Sequence, residues 1–167
     1  MAQLLFAPFL LSALLSLTIE ASAKMCGGST SCECGDTVVE NYTLTHDLGP
    51  CPKTGLSIEP GVHFDGGGHT ITGVNDLDSD TFIDQFGIHV LDANLTEREP
   101  IVIQNVKVTQ FGKGIRIENS SAVVVRRVRT FRNGIASDPE GKPIGYGIDI
   151  AAESHHNRIY RAIVTDN

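Results

Sequence analysis

Three stretches hold residue types that can do chemistry. In NDLDSDTFID (75–84), Asp76, Asp78 and Asp80 alternate and Asp84 follows. Ca²⁺ takes about six to eight oxygens, many of them from such loop carboxylates. The run starts like an EF-hand loop but departs from it. Thr81 stands where the glycine belongs, and Gly87 where the bidentate glutamate belongs. It reads either as a looser Ca²⁺ site or as a solvated acidic loop. In RRVRTFR (126–132), Arg127 and Arg129 lie on one side if the segment is a strand, with Lys107 and Arg161 on neighbouring repeats. Arginine pairs with carboxylates in bidentate fashion, so this stripe suits a polyuronate or sulfated glycan. The other reading is a charged outer face offset by nearby acids. Towards the end of the chain, Tyr146, Asp149, His155, His156 and Arg158 carry groups that neutralise a carboxylate and move a proton. His155 and His156 are adjacent, so on a strand they would face opposite sides. Tyr146, Asp149, His155 and Arg158 are the catalytic candidates.

A fourth stretch, DGGGH (65–69), looks like a phosphate or oxyanion cradle. A P-loop would end in Gly-Lys-Ser/Thr, and a dinucleotide loop would open a helix. Here HTITG follows, with the period of a strand. Gly66 to Gly68 therefore read as a corner, and His69 as the first residue of the strand after it.

The elements that must position these groups are short. Val, Ile and Thr runs alternate with Gly, Asn and Asp, which reads as all-β. Gly87-Ile88, Gly114-Ile115, Gly134-Ile135 and Gly147-Ile148 are each expected to open a strand, at steps of 27, 20 and 13 residues. Residues 136–146 read as a loop inserted into one coil. NVKVTQFGKGI (105–115) and VRRVRTFRNGI (125–135) align without gaps, Val108 on Val128 and Phe111 on Phe131. NRIYRAIVTDN (157–167) begins a third copy. Repeats of this length without a helical period mean a stacked β architecture. A propeller blade needs roughly 40 residues, more than these units have, so a parallel β-helix is the expectation. Asn105, Asn133 and Asn167 are expected at left-handed corners.

The ends and the composition bound the rest. LLFAPFLLSALLSLTI (4–19), then ASA, reads as a secretory signal peptide over residues 1–23, cut after Ala23, although no Lys or Arg precedes the apolar run. The run is short for a membrane span and ends at Glu20, so no stable membrane insertion is expected. The chain carries 13 basic and 20 acidic residues, a formal net charge of −7, which does not favour nucleic acid. Four cysteines, at 26, 32, 34 and 51, suit disulfides in an exported chain better than zinc. Of the three pairings, Cys26–Cys32 with Cys34–Cys51 closes two loops that do not cross.

CGDTVVENYTLTHDLGPC, followed by GLSIEPGVHFDGGGHTITG, resembles the N-terminal cap and first coils of secreted right-handed parallel β-helix proteins of the NosD-like and pectate-lyase-like groups. The resemblance covers Cys34 to Asn167. It implies a disulfide-linked cap over 24–54 and coils over 55–167, on an extracellular protein. Enzymes of this fold often use Ca²⁺ and act on acidic polysaccharides, which implies a lyase or C5-epimerase. The epimerase motif Asp-Pro-His appears here as Asp138-Pro139-Glu140. The chain stops at VTDN, where the next Gly-Ile strand is due, so missing coils are expected. The first functional expectation is a carbohydrate-binding or surface-structural protein without catalysis in this segment. The alternative is a Ca²⁺-assisted polysaccharide lyase or C5-epimerase, which leaves its status as an enzyme open. Asn41, Asn94 and Asn119 head Asn-X-Ser/Thr sequons that matter only in a host that glycosylates exports.

Overall fold

The computed structural model describes residues 23–74, 84–134 and 145–167. Residues 1–22 of the expected signal peptide and Asp76, Asp78 and Asp80 lie outside the described residues, as does most of the expected inserted loop. After a short β1 (Met25–Cys26), the strands come in threes. Coil 1 holds β2 (Asp36–Val38), β3 (Tyr42–Thr43) and β4 (Leu48–Cys51). Coil 2 holds β5 (Leu56–Ile58), β6 (His63–Asp65) and β7 (Thr70–Gly73). Coil 3 holds β8 (Phe86–Leu91), β9 (Ile101–Gln104) and β10 (Lys107–Thr109). Coil 4 holds β11 (Lys113–Glu118), β12 (Val123–Arg126) and β13 (Arg129–Phe131). Coil 5 holds β14 (Tyr146–Ala151), β15 (Arg158–Tyr160) and β16 (Ile163–Thr165). First strands stack into sheet A, with β1 on its edge. Second strands form sheet B, and third strands form sheet C. Every pairing between these strands is parallel. The all-β expectation of a parallel β-helix is met.

Alternation puts one apolar residue per position inside each coil, and register stacks it on its equivalent. Leu56, Ile88, Ile115 and Ile148 form one such column in sheet A. Phe64, Ile103, Val125 and Ile159 form another in sheet B. Most of these side chains are fully buried, each contributing about 1.5–3 kcal/mol. In coil 5 the stack is open, and Ile150, Ile159, Ile163 and Val164 are exposed.

A second column explains the glycines. A side chain at Gly55 would strike the carbonyl of Gly87, one at Gly87 that of Gly114, and one at Gly114 that of Gly147. The repeat is therefore Gly55, Gly87, Gly114 and Gly147, and it includes Gly55-Leu56, which the dipeptide search passes over. Gly134-Ile135 is not a member. Gly134 lies in the corner after β13, Ile135 is outside the described residues, and the coil 5 strand starts at Tyr146. Tyr146 thus belongs to a strand rather than to the inserted loop.

The gapless alignment is also corrected. Val108 pairs with Thr130, and Lys107 with Arg129, so the step is 22 residues and not 20. The corners set it. Each corner repeats one left-handed residue from coil to coil: Asp92, Asn119 and Ala152 after sheet A; Asn105, Arg127 and Arg161 after sheet B; Gln110, Arg132 and Asp166 after sheet C. The backbone amides of those in coils 3 and 4 bond to the coil above. Of the three asparagines expected at left-handed corners, only Asn105 has a positive φ, at 51°. Asn133 is instead fully buried. Its Oδ1 accepts from the Phe111 amide (3.2 Å), and its Nδ2 donates to the Val108 carbonyl (3.1 Å) and to Asn167 Oδ1 (3.0 Å).

Disulfides Cys26–Cys32 and Cys34–Cys51 tie the N-terminal end, the second joining the turn before β2 to the end of β4. They are the two pairs expected from the sequence, and mark a chain that folds in an oxidising environment. No helix among the described residues is long and apolar enough to cross a membrane.

Candidate binding groove

A groove of about 680 Å³ runs along the corner between sheets B and C. It touches every coil: Thr43 in coil 1, Asp65, Gly67 and Gly68 in coil 2, Asn105 and Lys107 in coil 3, Arg127 and Arg129 in coil 4, Arg161 and Ile163 in coil 5. Four steps at about 4.8 Å make it roughly 19 Å long. All four cations singled out in the sequence line it. Arg129 stands on β13 directly above Lys107 on β10. Arg127 is not on a strand as expected. It is the left-handed corner residue (φ 52°), stacked between Asn105 and Arg161. Val106 and Val128, both buried, form the floor.

Among the described residues none of the four cations is in an ion pair. Arg127 Nη2 donates to Gln104 Oε1 (2.9 Å), and Arg129 lies 5.1 Å from the centre of the Phe131 ring. The single carboxylate of the lining, Asp65, is held from other directions. It accepts from the Gly67 amide (2.9 Å), Gln104 Nε2 (2.7 Å) and Asn105 Nδ2 (3.0 and 2.9 Å). Burial raises the Asp65 carboxyl, but the Gly67 amide, Asn105, Gln104 and the charge of Arg127 outweigh it and hold it below the usual range. Gln104 thereby links Asp65 in coil 2 to Arg126 and Arg127 in coil 4.

DGGGH is the coil 2 corner. Gly66 holds the place of Asn105, pressed on Val106, and Gly67 and Gly68 are extra residues with positive φ that open one end of the groove. β7 starts one residue after His69, whose Nδ1 lies 3.2 Å from Asp47 Oδ1. The motif is a corner, and it also lines the candidate site.

The catalytic candidates lie elsewhere. Tyr146 and Asp149 are on β14 of sheet A, with Asp149 in an ion pair with Arg116. Arg158 is on β15 of sheet B, its Nη2 2.8 Å from Glu97. His155 forms an isolated parallel bridge with Ser121 and His156 follows at a bend, neither in a named strand. The left-handed His156 (φ 55°) turns its ring to meet its neighbour, with the Nδ1 atoms 2.9 Å apart. Neither Tyr146, Asp149, His155 nor Arg158 lines the basic groove. Asp84 is exposed, just before β8. Among the described residues no three His, Cys, Asp or Glu side chains are grouped to hold a metal. All three sequon asparagines fall on connections from sheet A to sheet B.

Sequence reading missed a ladder on the outer face of sheet A. His89, Arg116 and Asp149 are in register on β8, β11 and β14, above Ser57 on β5. The signal was present in GLSI, GIHV, GIRI and GIDI, whose third residues form this column. Arg116 Nε lies 3.1 Å from Glu118, and His89 Nε2 lies 3.8 Å from the same carboxylate, without a hydrogen bond. Burial lowers the His89 pKa in spite of Glu118, whereas the Arg116 hydrogen bond holds Glu118 below its usual range. No protein-family profile matches the chain, and no curated protein or solved structure is found to be similar to it.

Proposed function

We propose that this is an exported β-helix protein, of the kind found in NosD-like and pectate-lyase-like groups, that binds an acidic glycan in the groove between sheets B and C. It holds or displays toward that glycan, with no catalysis in this segment. One observation carries the reading: Lys107, Arg127, Arg129 and Arg161 converge on a single groove with no ion-pair partner among the described residues. Unpaired guanidinium groups over an apolar floor suit carboxylates or sulfates carried on sugar rings. The chain as a whole carries a formal net charge of −7, which makes this cationic lane a local feature rather than a general affinity for polyanions.

The Ca²⁺-assisted lyase or C5-epimerase reading has one observation in its favour, the ladder of His89, Arg116 and Asp149 on sheet A. Arg116 there is already held by two carboxylates. A glycan array followed by calorimetry tests the binding reading. Acidic glycans should bind, neutral ones should not, and added salt should weaken the binding. Absence of acidic-glycan binding at low ionic strength sinks it. Unsaturated product from pectin or alginate, dependent on Ca²⁺, would favour the enzyme.

A further inference from the structure

Resting on that reading, we infer how the glycan lies: lengthwise along the solenoid axis, its anionic groups directed alternately to two banks of cations, with the charged run ending at coil 2. The groove crosses all five coils, so its long axis follows the stack and not any single coil. Its cations repeat in the same direction. Arg127 and Arg161 occupy one corner column, with φ of 52° and 54°, and form one bank. Lys107 and Arg129 are register partners on β10 and β13 and form the other. Between the banks lies the floor of Val106 and Val128. A ligand that meets both banks while resting on that floor needs an apolar underside and charges on both edges. A flat ribbon of β-1,4-linked uronates meets the description, because successive rings turn over and their carboxylates alternate from side to side.

Coil 2 ends the lane. Its corner carries no cation, and Asp65 faces the groove as a carboxylate kept ionised by its donors. Those donors, from Gly67, Gln104 and Asn105, already occupy both of its oxygens, so it repels an anion while offering little to a hydroxyl. Thr43 of coil 1, exposed and paired with Asp65, supplies no charge beyond it.

Calorimetric titration of the full chain with a uronate monomer, a dimer and successively longer β-1,4-linked oligomers tests the placement. Affinity should climb with length and then level off. Lys107→Ala and Arg161→Ala, from opposite banks, should each weaken the long oligomers about two- to fivefold. Thr43→Lys should move the plateau to longer oligomers, and Asp65→Asn should do the same by removing the repelling charge. Thermal unfolding checks the fold of each variant, and either of the last two suffices if the other does not fold. Length-independent binding, or a plateau that neither variant moves, overturns the inference while leaving the acidic-glycan reading standing. If no acidic glycan binds at all, it is that reading which fails.

Discussion

Lys107 and Arg129 stand on adjacent strands in the same register, both exposed, so two cations leave sheet C one above the other at the spacing of a parallel sheet. Like charges placed directly opposite cost up to about 1 kcal/mol. Among the described residues neither cation is in an ion pair, and only the more distant Asp47 carboxylate acts on Lys107. Arg129→Gln should therefore raise stability by a few tenths of a kcal/mol at low salt, about 0.2–0.5, and weaken glycan binding. Urea unfolding at low and high salt reads the first effect. A variant less stable at low salt would show that the pair is not repulsive.

Asn133 is fully buried and serves two backbone groups of the coil below, the Phe111 amide and the Val108 carbonyl. Asn133→Ala strands both. The expected loss is about 2–4 kcal/mol, from the penalty for unpaired buried polar groups. Asn133→Asp keeps the acceptor for Phe111 but places a carboxylate against the Val108 carbonyl and should be no better. Urea denaturation followed by circular dichroism decides; a loss below about 0.5 kcal/mol would mean water replaces the side chain.

His89 sets a pH dependence whose sign is determined. Burial depresses its folded pKa below the ordinary 6.5, despite the raising effect of Glu118. The unfolded chain therefore binds more protons in this window, and stability rises with pH. The contribution is fully present above pH 6.5 and is lost as pH falls from there towards the folded value. Asp47, held low chiefly by the Thr70 amide, and Glu118, held low by Arg116, act in the same direction at more acid pH. Thermal melts across this range should show a first decline just below pH 6.5 that is missing in His89→Gln. An unchanged profile would assign the decline to the carboxylates.

The Cys34–Cys51 bridge joins residues 17 apart and ties the turn before β2 to the end of β4. The chain-entropy relation gives about 3 kcal/mol for a loop of this size. The Cys34→Ser, Cys51→Ser double variant should lose roughly that amount and keep the remaining coils. Hydrogen exchange should show the loss concentrated in coil 1; uniform loss along the chain would mean that the whole solenoid unfolds as one unit.

Strand identity, the inward faces and the corner at DGGGH were legible along the chain, because alternation and the steric freedom of glycine act over a few residues. The two disulfide pairs were legible for the same reason, since their loops are short and close the same end. Pairing register was not legible. Gly134-Ile135 and Gly147-Ile148 are equivalent as dipeptides, yet Gly134 has a positive φ in the corner after β13 whereas Gly147 and Ile148 lie on β14. Asn105 and Asn133 are likewise the same residue type, yet one turns the backbone and the other fills a buried hydrogen-bonding slot between coils. The basic groove divides in the same way. The residues of RRVRTFR announced their charge, but Arg127 meets Arg161 because a corner conformation recurs 34 residues later, and Arg129 meets Lys107 because the step is 22. Side-chain chemistry and strand alternation are local properties of the chain. Which charges stand together depends on the length of each corner, and that becomes determinate only when one coil lies on the next.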